Sequence, residues 1–339
     1  MRNETLSVVH LVMLRYADMA LELLKEETSV PTRNVLKLLT ELDDVAIICH
    51  LRHRGSETPV VVATTHLHYN PINPHLKAMQ CSLLLDALHG HLAKWGLDPD
   101  KTHVVLAGDL NSLPKKTHPD EFDPILPPGG LVSGVYELIT EGSLPQSHLD
   151  HPHARDPEIC KGVPPLKSSL RLRSAMRVAC GSEPLLTTKT ADFCGTLDYV
   201  FVNHPGVVLR VLDMPPQNEE EARAFPPIPD GANWPSDHLP LVVDIAVAPL
   251  YQPRTSFQMR NSLELTSPSG MTVDPAGEMR GGEAPPRPRP RDGGKAKDKG
   301  GSPRAEGGAK EGKRGSGEVS RSRSHRKRSG KDRGRINTL

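Results

Sequence analysis

Asp109 and Asn111 stand two residues apart at the end of the run VVLAGDLNSLP, residues 104–114. An apolar, β-branched run that stops on Gly-Asp-Leu-Asn reads as a buried strand breaking off at its end. Positions i and i+2 of an extended chain point to the same side. A carboxylate and an amide therefore aim at one spot beyond the strand. Turn chemistry alone also explains Asp, Asn and Gly at such a place. Three further stretches weigh against that plain reading. THLHYNP (65–71) ends a strand with His66 and His68, GTLDYVF (195–201) sets Asp198 in a strand beside Tyr199, and WPSDHLPL (234–241) puts Asp237 and His238 before a strand. Four strand ends that each offer acid, amide or imidazole groups suit a magnesium and phosphate site. Magnesium takes carboxylate oxygens and waters and engages substrate phosphates. Phosphodiester cleavage needs a base for water and charge to stabilise the transition state.

The elements that must hold these groups are legible in outline. VAIICHLRH (45–53) and PVVVATTHLHY (59–69) read as a hairpin of β-branched strands. Residues 75–96 space Leu76, Met79, Leu83, Leu84, Leu88 and Leu92 as a helix packed on a core, ending near Gly96. Strands are expected at 103–111, 196–204 and 239–248, and a short helix at 133–140. Residues 115–131 form a loop, and residues 143–167, dense in Pro and His, an irregular connection. Residues 5–27 fit either one helix or a short strand followed by a helix. Mixed strands and helices imply α/β layers around a mixed sheet, with the folded part ending near Pro253.

The chain of 339 residues carries a net charge of +1, distributed unevenly. From Arg280 to Leu339 there are 19 Lys and Arg against 7 Asp and Glu, a net of +12, so residues 1–279 carry about −11. That tail has almost no large apolar residue and is expected to be disordered. Its last part, SRSRSHRKRSGKDRGR, suits nucleic acid, a nuclear import receptor or another protein partner. Five widely spaced cysteines with no CxxC point to a reducing compartment, cytoplasmic or nuclear. No apolar run of membrane-spanning length is present, which argues against a membrane partner.

GDLNSLP, THLHYNP, TLDYVF and SDHLPL together resemble the endonuclease/exonuclease/phosphatase superfamily. SGVYELI, ADFCGTLDYVF and VLDMPP narrow the resemblance to its deadenylase branch, which includes the carbon catabolite repressor type, nocturnin, the angel proteins and 2′,5′-phosphodiesterases. The resemblance implies an α/β sandwich with mixed sheets, of which residues 43–252 supply the C-terminal part. Residues 1–42 then form a divergent N-terminal segment and 253–339 the basic tail. It implies that Asp109 orients or activates the attacking water and that Asn111 and His66 contact the phosphate. His238 stabilises the transition state, Asp198 supports that site and Asp237 is a metal-side acid. Phe193 and Pro71 line a base pocket, and the cofactor is magnesium or manganese.

The chain departs from the family pattern in one respect. Neither the strand carrying an Asn nor the LQEV-like motif, whose Glu is the main magnesium ligand, occurs, so the first half of the domain is expected to be missing. Residues 115–132 look like an insertion whose acids would repel RNA unless they face away. Three functions fit. The first is a magnesium-dependent phosphodiesterase, a 3′-to-5′ exoribonuclease on poly(A)-like RNA ends, with low activity expected. The others are a non-catalytic RNA-binding or scaffold protein and a phosphatase or phosphodiesterase on a small phosphate ester. His148, Asp150, His151 and His153 suggest a second metal, but Pro and Asp beside His are ordinary loop composition.

Overall fold

A computed structural model describes residues 5–247 except Ala232. The basic tail and the expected boundary near Pro253 lie outside the described residues. The chain opens with β1 (Leu6–Arg15), α1 (Tyr16–Glu26) and α2 (Val30–Thr40). The hairpin β2 (Val45–His53) and β3 (Pro59–His66) follows, then α3 (Pro74–Lys94) and β4 (His103–Asp109). Of the two options for residues 5–27, the strand followed by a helix forms. Tyr16 begins α1 with its amide on the Asp44 carbonyl and its hydroxyl 2.9 Å from Thr65 Oγ1, both next to the site. Helix α2 was not expected. It starts behind Ser29 with Pro31 in its first turn, where a missing N–H costs nothing, and buries Val35, Leu36 and Leu39.

The next segment is built from short pieces: β5 (Lys115–Lys116), β6 (Leu131–Val132), α4 (Gly134–Glu141), β7 (Ser143–Leu144), α5 (Pro152–Arg155), β8 (Leu166–Lys167), β9 (Arg173–Ser174) and α6 (Ala175–Cys180). Then come β10 (Thr188–Lys189), β11 (Cys194–Gly195), β12 (Asp198–Val202), β13 (Val207–Val211), α7 (Glu219–Ala224) and β14 (Val243–Ala246). Strand β14 is the core of the expected 239–248 strand. It pairs with β13, a partner the sequence did not announce.

One six-stranded sheet runs in the order β1-β2-β3-β4-β12-β9. Only β3 and β4 are parallel; the other pairs are antiparallel. Helix α3 is the crossover that a parallel pair requires. One face of the sheet is apolar and buried. Ala46, Ile48, Val61, Ala63, Val104, Leu106, Tyr199 and Phe201 share a core with Leu83, Leu84, Leu85 and Leu88 of α3 and Leu138 of α4. Tyr136, Tyr199 and Phe201 stack or meet edge-on there, 5.3–5.8 Å between centroids. The opposite face is partly open. Leu11 (66%) and Met13 (69%) on β1, and Val45 and Ile47 on β2, are exposed apolar residues. A second core gathers Met176, Leu186, Met214, Ile228 and Leu239.

Candidate active site

The strand register builds the site directly. His66 on β3 lies opposite Asp109 on β4, and Asp109 lies opposite Asp198 on β12. The three residues form one row across three adjacent strands. Odd and even positions point to opposite faces, so the row stands on the face away from α3 and the tyrosines. Strands β3 and β4 approach closely here because Gly108 has no side chain. A Cβ at Gly108 would stand 2.0 Å from the Thr65 carbonyl oxygen.

His238 arrives from the other side of the chain. Its backbone pairs with Thr188 of β10, and Leu239 donates its amide to Thr187. Its ring then meets the row: Nδ1 is 2.7 Å from Asp198 Oδ2 and Nε2 is 3.9 Å from Asp109 Oδ2. His66 Nε2 lies 3.3 Å from the same Asp109 oxygen. Thr187, absent from the sequence reading, holds Asp198. Its hydroxyl donates to Asp198 Oδ2 at 2.6 Å and accepts the amides of Leu197 and Asp198.

Charge in this cluster is shared unevenly. Burial pushes the Asp109 carboxyl up, the Asn111 amide pulls it down, and the nearby Asp198 charge pushes it up further. The net result is a carboxyl held above its usual range. Burial would lower the His238 imidazole, but the Asp198 hydrogen bond and the charges of Asp198, Asp109 and Asp237 outweigh it, so its pKa is raised. Asp109, Asp198 and His238 each offer a ligand atom, all within 4.8 Å of one another. Two crowded carboxylates with incomplete countercharge fit a hard divalent cation. Asp237, the expected metal-side acid, is not in that group. Its side chain is exposed, and its carbonyl accepts the Thr188 hydroxyl at 2.6 Å.

Asn111 turns the chain after the row. Its φ is +46°, in the left-handed region that Asn tolerates. Asp109 Oδ1 accepts the Asn111 amide at 2.8 Å, closing an Asx-type turn, and Asn111 Nδ2 donates to the Leu67 carbonyl at 2.8 Å. Beside it lies a cavity of about 140 Å3, lined in part by Pro71, Phe193, Asn111, Lys77 and Asp150. The structure thus brings Pro71 and Phe193 to one cavity next to Asn111.

The loop between β5 and β6 closes another side of that cavity with Phe122, Asp120 and Asp123. Asp120 and Asp123 are held by cations. Lys116 pairs with Asp120 and Asp123, and Arg155 pairs with Asp123, so the loop is latched to α5. His148 and His151 do not gather around a second metal. Their Nε2 atoms bond the carbonyls of Val132 and Pro164, and their Nδ1 atoms accept nearby amides. Asp150 accepts the Gly134 amide at the start of α4.

Residues 32–238 match the endonuclease/exonuclease/phosphatase family. Among curated proteins, the CCR4-Not complex 3′-5′-exoribonuclease subunit Ccr4 of Candida albicans is 26% identical over 246 residues, which is 71% of this chain and 28% of that protein. Human 2′,5′-phosphodiesterase 12 is 28% identical over 193 residues, 57% of this chain and 27% of that protein. The chain thus spans under a third of the length of these relatives, which fall in the deadenylase-type branch that the motifs resemble. Among solved structures, ANGEL2, a 2′,3′-cyclic phosphatase in complex with adenosine-2′,3′-vanadate, aligns at 20% identity with a TM-score of 0.49. That alignment covers 72% of this chain and 68% of that one. The match over more than half of its residues makes the chain a member of the endonuclease/exonuclease/phosphatase family.

Proposed function

We propose that this chain is a magnesium-dependent phosphodiesterase that removes nucleotides from the 3′ end of poly(A)-like RNA. The observation that carries this reading is the His66–Asp109–Asp198 row with His238 closing over it. Asp109, with a raised carboxyl pKa, suits the taking of a proton from water. His238, whose imidazole pKa Asp198 raises, suits donation from Nε2 to a phosphate oxygen in the gap beside Asp109. Oxygens of Asp109 and Asp198 would hold the cation, whose chemistry is to neutralise charge on the phosphate. Pro71 and Phe193 line one cavity that would take a base, and stacking on an aromatic face contributes about 1–3 kcal/mol per base. The Ccr4 and 2′,5′-phosphodiesterase names of the relatives support RNA as the substrate class.

Turnover by this chain is slow. Among the described residues the group offers the cation two carboxylates, those of Asp109 and Asp198, and no Glu in an LQEV-like context occurs in the sequence. A single missing stabilising group lowers rate by a factor of about 10² to 10³. The test is end-labelled oligoadenylate with millimolar magnesium, beside His238→Ala. Slow, magnesium-dependent shortening from the 3′ end that His238→Ala abolishes supports the proposal. Equal background from both proteins overturns it in favour of RNA binding without catalysis.

A further inference from the structure

Lys77 sits in the first turn of α3, six residues after Pro71, and its side chain is buried, at 4% exposure. An ammonium has three N–H donors. One donates to the Asn111 carbonyl at 2.6 Å, and among the described residues no other hydrogen bond or ion pair to it is formed. Lys77 lines the same cavity as Pro71 and Phe193. Burial lowers its pKa to about 8 against the pull of Asp150 and Asp109, as expected of an ammonium stripped of water and short of acceptors. A cavity lined by an aromatic ring, a proline and an under-used cationic donor suits a flat ring that carries an acceptor atom.

We infer that Lys77 is a base-recognition residue: its free N–H groups donate to an acceptor on the ring edge of the nucleobase held between Pro71 and Phe193. Its remaining N–H fixes the carbonyl of Asn111, so one side chain ties base occupancy to the turn that presents Asp109. This inference rests on the proposed nucleotide-binding function and adds the group that reads the base.

Binding of AMP and ribose 5-phosphate to the full-length protein separates the two. If neither binds, or both bind equally, the nucleotide function fails and the inference with it. If AMP binds more tightly, Lys77 is tested with 1-deaza-, 3-deaza- and 7-deaza-AMP, each lacking one ring nitrogen. The expected result is that one analogue loses about 10-fold in affinity, the scale of a hydrogen bond to a charged group. Lys77→Met should lose the same factor for AMP, none for ribose 5-phosphate, and become indifferent to that analogue, while Lys77→Arg retains the preference. Three analogues that all bind wild type as AMP does would overturn the inference without any variant having to fold. So would a Lys77→Met loss that is equal for AMP and ribose 5-phosphate.

Discussion

Nδ1 of His238 lies 2.7 Å from Oδ2 of Asp198, and that one oxygen also accepts the Thr187 hydroxyl. The imidazole is thereby held in one orientation, with Nε2 directed at Asp109. Replacing Asp198 by Asn removes the strongest influence that raises His238 and leaves burial opposed by the weaker pulls of Asp109 and Asp237. In metal-free buffer, the His238 pKa followed by NMR should therefore fall. The stability consequence has a definite sign. A pKa raised by folding contributes stability that is fully present below the unfolded value of about 6.5 and is lost as pH rises through the folded value. The urea-denaturation gap between wild type and Asp198→Asn should be wider at pH 5.5 than at pH 8.5. A gap that widens with pH would contradict the pairing.

Gly108 separates the site from the core by the thickness of one backbone. Its missing Cβ would fall 2.0 Å from the Thr65 carbonyl oxygen, and backbone cannot swing aside as a flexible side chain can. Gly108→Ala should therefore push β4 away from β3 and shift Asp109 against His66. A destabilisation of about 3 kcal/mol is expected, the upper range of overpacking. Loss of metal-induced chemical-shift changes at His66 and His238 should accompany it.

The latch on the β5–β6 loop depends on one carboxylate. Burial pushes the Asp123 carboxyl up, but Lys116 and Arg155 outweigh it and hold it below the usual range. A lowered carboxyl contributes stability above the unfolded value of about 3.9 and loses it as pH falls through the folded value. Asp123→Ala leaves the partly buried Arg155 without a carboxylate and Lys116 with Asp120 alone, and should cost on the order of 3 kcal/mol at pH 7. The difference from wild type should shrink on acidification below about pH 4. Proteolysis between Lys116 and Leu131 should become fast in the variant.

The basic end of the chain should add affinity that ignores sequence. With 19 Lys and Arg after Met279, RNA binding by the full chain should fall steeply between about 50 and 200 mM salt. A 1–253 fragment should bind more weakly with a shallower slope. Equal affinity and slope would assign all binding to the α/β part.

Much of the site was legible because it hangs on strand ends. The two-residue spacing of Asp109 and Asn111, the apolar runs that precede His66 and Asp109, and the one that follows His238 were enough to group them. What strand runs cannot announce is register: the row of His66, Asp109 and Asp198 follows from pairing alone. Thr187 and Lys77 were missed for a related reason. A threonine beside a two-residue strand and a lysine in an apolar helix look like surface residues until packing buries them. The 115–131 loop looked like a run of acids near the site. Asp120 and Asp123 are paired with Lys116, and Asp123 also with Arg155, which lies 32 residues beyond it, a distance local pattern cannot bridge. Residues 5–27 stayed ambiguous because VVHLVML suits strand and helix alike, and the β2 ladder decides between them.

The open sheet face bears on how the protein behaves in the tube. Among the described residues β1 ends the sheet, ten residues long, with Arg15 as its sole Lys, Arg, Asp or Glu and with Leu11 and Met13 exposed beside it. Such an edge offers backbone donors and acceptors to any passing strand, next to apolar side chains that gain from contact. Self-association along it would be driven by hydrogen-bonded ladders and apolar burial, so added salt would not dissolve it. Salt would therefore weaken binding through the basic tail while leaving association along such an edge untouched.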